Sequence, residues 1–427
     1  MSNSLRSRIN YFHKSKFVRN VLAVATGVAA AQAISLAFMP FLTRLYGPGA
    51  FGALAAFTAI INIITPLATL GYANAIVMPK TEEGANAVAR LSLVSAAIVS
   101  PITLIIVYVF QSQLATLVGL ESESNLLYLI PISLVLVALL SVANQVAIRE
   151  GLFKLKSGSY VLSNFIINLG KLGAGYISAS GITLIVLSIF ANLINYIILM
   201  ARVPKVGSFD FRQWFGITGI RKAAFEHKDF AIYRMPQSVI RAASMGLPVI
   251  MLTALFGSNS AGQYSILLLI LGAPVVLLGD SVGDVFYPKI TRAIVDQTGN
   301  AFSLISQAVF TLLLVAAIPF GFIIIFGDTF LPWLLGVEWQ LAGKFSPWIA
   351  LWMIAMLIVR PAVAAMPALK IQSLLLFYEV IVTAARIGAL YIGYLSRSEI
   401  VSIVLFSLVN VFGYIGLLIF ILFKSKR

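Results

Sequence analysis

Residues 42–52 read LTRLYGPGAFG and residues 252–262 read LTALFGSNSAG. At a constant offset of 210 positions Leu42, Thr43, Leu45, Gly47 and Gly52 recur as Leu252, Thr253, Leu255, Gly257 and Gly262, and Tyr46 is matched by Phe256. Each stretch ends one apolar run of bilayer length and leads into the next, so the first hairpin of the chain is written twice. Leu and Gly are common in membrane helices, and short matches between such segments also arise by chance. With equal numbers of spans before and after the offset, the two halves are parallel repeats about an axis along the membrane normal, one of the two repeat classes of transporters. Such a pair of bundles can rock about a central cavity.

The membrane assignment itself follows from composition. Hydrophobic residues make up 60% of the chain, charged residues 11%, and the mean hydropathy is +0.98, whereas soluble domains carry about 25% charged residues. Apolar runs of roughly 20 residues between polar breaks predict about twelve helices. Their expected limits are Asn20 to Tyr46, Phe51 to Met78, Asn86 to Phe110, Asn125 to Ile148, Ser157 to Ser178 and Ile182 to Ala201. Six more follow at Phe230 to Phe256, Gly262 to Phe286, Phe302 to Phe326, Phe345 to Ala368, Ile371 to Leu395 and Glu399 to Phe423. The first reads as a true span, because its apolar run is too long for a cleaved signal and its flank stays basic. The expected fold is all-α and polytopic, with two six-helix lobes (residues 1–201 and 230–427) around a central cavity, joined by a cytoplasmic linker at 202–229.

Orientation follows from the basic residues. Of the 30 Lys and Arg, 23 fall on the side of the amino terminus, three (Arg44, Lys344, Arg397) on the other side, and four inside spans. By the positive-inside rule both termini are cytoplasmic. The net charge of +15 is this same asymmetry, so no nucleic-acid partner is expected. Without any Cys there are no disulfides or thiolate metal sites. His13 and His227 lie outside the spans, so no metal site and no cofactor is expected.

The four intramembrane cations, Lys171, Arg241, Arg360 and Arg386, carry the functional argument. Each costs ~2.5–3.5 kcal/mol at a helix centre, so such residues usually face a bundle interior and meet an anionic ligand or a fixed carboxylate. Ser157, Tyr160, Asn164, Asn168, Lys171, Gly175 and Ser178 follow at intervals of three and four and share one helical face. Arg234, Gln237, Arg241 and Ser244 form a second stripe, and Gln372, Glu379, Thr383 and Arg386 a third. Thr58, Asn62, Thr65, Thr69 and Tyr72 form a fourth. The stripes read as walls of a polar interior, or, for Ser, Thr and Asn taken singly, as helix-to-helix contacts.

Lys171 has no acidic residue in any span of its own half. Asp280 and Asp284 share a face near a helix end, where hydration, a bond to Lys289 or Arg292, pairing with Arg241, or ion and proton coupling are all open. Glu379 and Arg386 share a face too, but a separation of two turns is about 10 Å, which argues against direct contact. Arg360 precedes Pro361, where a break in the helix is expected, and it is also placed to snorkel. With four cations against three anions, the interior should be net positive and suited to phosphate, pyrophosphate or acidic sugars.

TRLYGPGAFG (Thr43 to Gly52), AIVMPKTEEGA (Ala75 to Ala85), FAIYRMPQ (Phe230 to Gln237), LPVIMLTALFGSNSAGQY (Leu247 to Tyr264), VFYPKI (Val285 to Ile290) and GVEWQLAGKF (Gly336 to Phe345) together resemble the Wzx-type oligosaccharide flippases. These are polysaccharide biosynthesis proteins of the superfamily that also holds multidrug extruders and lipid II flippases. The chain departs from them in having Gly71 and Ala73 beside Tyr72, and Asp280 and Asp284 where Gln is common. The resemblance implies two lobes opening alternately across the bacterial inner membrane. The implied substrate is an undecaprenyl-pyrophosphate-linked oligosaccharide for O-antigen, lipopolysaccharide, capsule or exopolysaccharide synthesis. Membrane lipid, a polysaccharide polymerase and chain-length proteins are the implied neighbours.

The substrate-binding set is then Lys171, Arg241, Arg386, Arg360, Asn164, Asn168 and Gln237, with Glu379, Asp280 and Asp284 as coupling candidates. A cation-coupled drug or metabolite antiporter is the nearest alternative, and a non-transporting subunit of a polysaccharide assembly complex the next. Catalysis is not expected, since the largest outward loops are only Gln111 to Ser124 and Gly327 to Lys344.

Overall fold

The structure, a computed structural model, describes residues 16–121, 124–202, 211–295, 300–367, 369 and 371–425. Among them there is no strand, and the helices are α1 (Lys16–Ala68), α2 (Glu82–Val109), α3 (Gln111–Val118), α4 (Leu129–Arg149), α5 (Phe153–Gly175), α6 (Gly181–Met200) and α7 (Ile220–Glu226). They continue as α8 (Met235–Phe256), α9 (Ser258–Val295), α10 (Ala301–Leu335), α11 (Gln340–Ile358), α12 (Arg360–Ala365), α13 (Gln372–Leu395) and α14 (Glu399–Ser425).

Nine described helical stretches are long and apolar enough to cross a bilayer, so the protein is an all-α, multi-pass membrane protein. One of the nine, Val24–Ala68, holds two expected spans separated by a break at Gly47 (φ 69°, ψ 169°). That backbone suits glycine, and Pro48 after it supplies no N–H to carry the helix on. α5 and α13, the helices of Lys171 and Arg386, are not among the nine; with them the described helices are consistent with about twelve spans.

Local chemistry sets the ends. Thr81 caps α2 by accepting from the Gly84 N–H (3.2 Å), with Glu82 and Glu83 in its first turn, where carboxylates favour the positive end of the helix dipole. The second span, expected to reach Met78, stops at Ala68. Leu70 (φ 48°) and Gly71 (φ 77°) turn left-handed there, and a 3₁₀ turn follows at Tyr72–Ala75.

The two expected outward loops are also largely helical. Gln111–Val118 is α3, and α10 runs on to Leu335 because Leu331 and Leu335 are fully buried. Close approach to α11 helps: a Cβ on Gly343 would lie 2.9 Å from the Asp328 carbonyl, and one on Gly327 would overlap the Ser346 hydroxyl. Small residues let helix backbones approach closely in a bilayer.

Two compact units make up the chain. The first contains residues up to Tyr46 together with Ala56–Leu247. Its core joins Tyr72, Ile76, Val88, Val142, Val146, Leu199 and Trp214. Arg149 fastens the turn after the second span, its guanidinium donating to the carbonyls of Ile76 (3.1 Å), Pro79 (2.6 Å) and Thr81 (3.2 Å).

The second unit contains Gly47–Ala55 and Pro248–Arg427. Within it the two repeated turns meet. A Cβ on Gly52 would overlap the Ser258 carbonyl and lie 2.9 Å from the Gly262 nitrogen. One on Gly262 would overlap the Pro48 carbonyl and lie 2.9 Å from the Gly52 nitrogen. Pro48 and Ser258 are themselves 210 positions apart, so the contact is reciprocal, as expected where two copies of one hairpin pack face to face. Next to Gly262, buried Gln263 satisfies both ends of its amide, donating to the Glu338 carbonyl (2.7 Å) and accepting from the Ala342 N–H (2.9 Å).

Candidate functional site

Lys171 lies on α5, whose stripe of polar residues runs along α1. A Cβ on Gly27 would overlap the Ser157 side chain, and Ser35 donates to the Asn164 amide oxygen (3.4 Å). Phe38 meets Phe165 edge-on at 6.0 Å. The Tyr46 hydroxyl donates to the Lys171 carbonyl (2.6 Å), and the same ring covers Gly175, where a Cβ would come within 2.9 Å of it. Much of the stripe is thus a helix contact, built on small residues and short polar bonds.

Asn164 and Asn168 turn their amide nitrogens back onto α5, donating to the carbonyls of Tyr160 (3.0 Å) and Asn164 (2.8 Å). The Lys171 ammonium is different. Partly buried, it has no ion pair and no hydrogen bond among the described residues. The described acidic residues of this unit lie outside its membrane spans or at their ends.

Arg241 belongs to the same unit, on the amino-terminal part of α8. Ahead of that helix, Phe230–Arg234 forms a π turn, because Pro236 lacks the N–H that would close a regular turn on Ile232. Gly71 admits this turn, since a Cβ there would stand 2.8 Å from the Phe230 carbonyl. Arg234, Gln237 and Arg241 are all exposed, beside exposed Ile240 and Met245. Arg241 has no ion pair among the described residues. The side chains of Asp280 and Asp284, on α9, lie outside the described residues.

The second unit treats its cations otherwise. Arg386 on α13 is buried; its Nε donates to Asn410 Oδ1 (2.9 Å) on α14, and its Nη1 donates to Glu379 Oε1 (3.3 Å). Tyr414, one turn beyond Asn410 on α14, lies in the electrostatic field of the same guanidinium. The two-turn spacing had argued against contact between Glu379 and Arg386, and the structure corrects that expectation. Side chains on a helix lean towards its amino terminus, so Arg386 reaches back down α13 and the two long side chains cover the gap together. The Glu379 side chain remains 39% exposed.

Arg360 opens α12, after the break that Pro361 predicts, and lays its guanidinium across α9. A Cβ on Gly279 would sit 3.2 Å from its Nε. It is packed against a helix, and it contributes to the electrostatic surroundings of Tyr414.

Asn410 and Tyr414 were missed as site residues. Their signal is an i, i+4 polar pair in an otherwise apolar last span. The Tyr378 and Tyr414 rings lie against each other, their centroids 6.1 Å apart and their planes tilted by 44°. The Tyr378, Thr383 and Ser407 hydroxyls are buried without a hydrogen-bond partner, so polar atoms gather around Arg386 inside the second unit. No group of three or more His, Asp and Glu is placed to hold a metal among the described residues.

With this geometry in hand, the chain is similar to several solved transporters. One is a lipid II flippase, MurJ, in an inward closed conformation, at 14% identity and TM-score 0.64, covering 97% of this chain and 90% of that one. Another is an inward-facing multidrug resistance MATE family transporter of the MOP superfamily, at 16% identity and TM-score 0.64, covering 97% and 98%. A third is a MOP superfamily transporter from Pyrococcus furiosus, at 14% identity and TM-score 0.56, covering 96% of each chain. At such identities the likeness concerns the fold. No curated protein matches the sequence. A family model for polysaccharide biosynthesis proteins matches residues 41–343, and the chain therefore belongs to the polysaccharide biosynthesis protein family, with the helical fold of MOP superfamily transporters.

Proposed function

We propose that this protein is a flippase that moves a polyprenyl-pyrophosphate-linked oligosaccharide, the undecaprenyl form in bacteria, across the inner membrane by alternating access. The observation that carries the reading is Lys171: a cation deep in a membrane helix, with no counter-charge among the described residues. Its charge calls for an anion that arrives with the substrate, and a pyrophosphate or acidic sugar meets that need while the polyprenyl tail stays in lipid. Arg241 and Gln237 are further contacts, on an exposed polar face. Arg386 and Arg360 shape the field of the second unit, Asn164 ties α5 to α1 through Ser35, and Asn168 bonds back within α5. Glu379, half-open and held by Arg386, is the candidate coupling carboxylate. The Lys and Arg distribution favours cytoplasmic termini.

The test is to delete the gene and identify, by mass spectrometry of extracted lipids, the intermediate that accumulates on the inner leaflet. A lipid-linked oligosaccharide is expected, with polymer restored by the wild-type gene and poorly by Lys171→Gln or Arg241→Gln at matched protein level. Unchanged lipids and polymer, together with raised sensitivity to cationic drugs, would instead favour the antiporter and overturn the reading.

A further inference from the structure

Residues 213–229, ahead of the seventh span, have two faces of opposite character. One is fastened to the first unit. Trp214 is buried in the core, and Arg90 donates to the carbonyls of Gln213 (2.6 Å) and Thr218 (2.9 Å). Asn86 donates to the Gln213 side chain (2.7 Å), and Ala223 of α7 is buried.

The other face carries Phe215, Ile217 and Phe225, which are 54%, 76% and 74% exposed. Interleaved with them are Arg221, Lys222 and Lys228, all exposed. Lys228 stands over the Phe225 ring at 5.0 Å, and Lys222 makes only an exposed 3.8 Å pair with Glu226, a kind of pair that holds little energy. A groove of about 860 Å³ runs between Ile217, Arg221, Phe225 and Lys228.

We propose that this face is a docking surface for anionic phospholipid headgroups. The segment is tethered between Met200, which ends α6, and Phe230, which starts the next spanning stretch, so it is held at the level where a leaflet meets water. Large apolar side chains mixed with Lys and Arg on one face are the pattern of an element lying in that interface. The rings enter the acyl boundary, and the cations meet phosphate oxygens. With Phe225 inserted, the Lys228 ammonium above its ring comes to headgroup depth. A fastened element also loses less conformational freedom on docking than a free loop. This surface is independent of the transport reading.

The chain has no Cys, so Ile217→Cys and Phe225→Cys each give a single site for a nitroxide label. The full-length protein is placed in nanodiscs of phosphatidylcholine with or without phosphatidylglycerol, and collision with oxygen and with a water-soluble nickel complex is measured by electron paramagnetic resonance. Adding phosphatidylglycerol should lower nickel access and raise oxygen access at both labels. Arg221→Gln with Lys228→Gln should abolish that dependence and lower co-purified phosphatidylglycerol about tenfold, with thermal unfolding in detergent unchanged. The proposal is overturned if the labels stay nickel-accessible in both lipids. It is also overturned if burial is equal in both lipids and indifferent to the two substitutions. The same holds if the labels are shielded from both reagents only in native membranes, which would mean that a protein covers the face. If the double variant unfolds, the lipid dependence of the labelled wild-type background still decides.

Discussion

In the first unit the Lys171 ammonium leaves a helix whose polar stripe is largely taken up by α1, and it meets no carboxylate among the described residues. In the second unit Arg386 is equally out of place in an apolar helix, yet it is shared by Glu379 and Asn410. The two residues look alike as text and differ as chemistry. A buried charge has to be compensated within a few ångströms, because its interaction falls with distance while its desolvation cost does not. The second unit supplies that compensation as part of its fold. The first supplies none among the described residues, which is the property that the proposed ligand site requires.

The most severe way to break this comparison is to disturb the frame that holds the second unit. Gly52→Ala drives a Cβ into the Ser258 carbonyl, which is backbone and has no rotamer to escape to, so a loss of about 3 kcal/mol in thermal unfolding is expected. Gly272→Ala on α9, where nothing lies within 4 Å, is the control and should change stability by less than about 0.5 kcal/mol.

Next in size is Arg386→Ala. Removing one partner of a buried pair costs ~3–5 kcal/mol, and because Glu379 remains 39% exposed about 2 kcal/mol is expected here. Exchanging the charges, with Glu379→Arg and Arg386→Glu together, should recover part of that loss, whereas independent residues would give additive losses.

Lys171→Gln should do the reverse. Stability should hold or rise by about 1 kcal/mol, since an unpaired, partly buried charge is gone, while polymer output falls about tenfold at equal protein level, the worth of one charge-assisted contact. A Lys171→Gln protein that unfolds as readily as Arg386→Ala would erase the contrast. The smallest effect belongs to Asn164→Ala. It removes a 3.4 Å bond from Ser35 and a bond within its own helix, for about 0.6 kcal/mol in unfolding.

How much of this was legible in the text of the chain varies by residue. Gly47 and Pro48 announced the first turn, and Pro361 announced the break beside Arg360. The repeat at an offset of 210 marked Gly52 and Gly262 as equivalent positions, and only the structure showed that they pack on each other. Beyond Gly327 the reading stopped α10 too early, because spans were ended at polar breaks, whereas close packing on α11 carries the helix on. The α5 stripe was read as a cavity wall, and α1 covers much of it. Asn410 and Tyr414 escaped notice because their meaning depends on Arg386, which belongs to another helix.

The amino-acid sequence alone determined that this is a polytopic helical membrane protein and where its charges fall along each span. Transfer from water to lipid is decided segment by segment, by composition and helix length, and both are local. Which charges are already compensated was decided only by tertiary structure. The bond from Arg386 to Asn410 joins two helices across 24 positions, and the ion pair with Glu379 depends on how far two side chains reach along α13. Electrostatic balance in a low-dielectric interior depends on through-space distances of 3 to 4 Å that no helical period records.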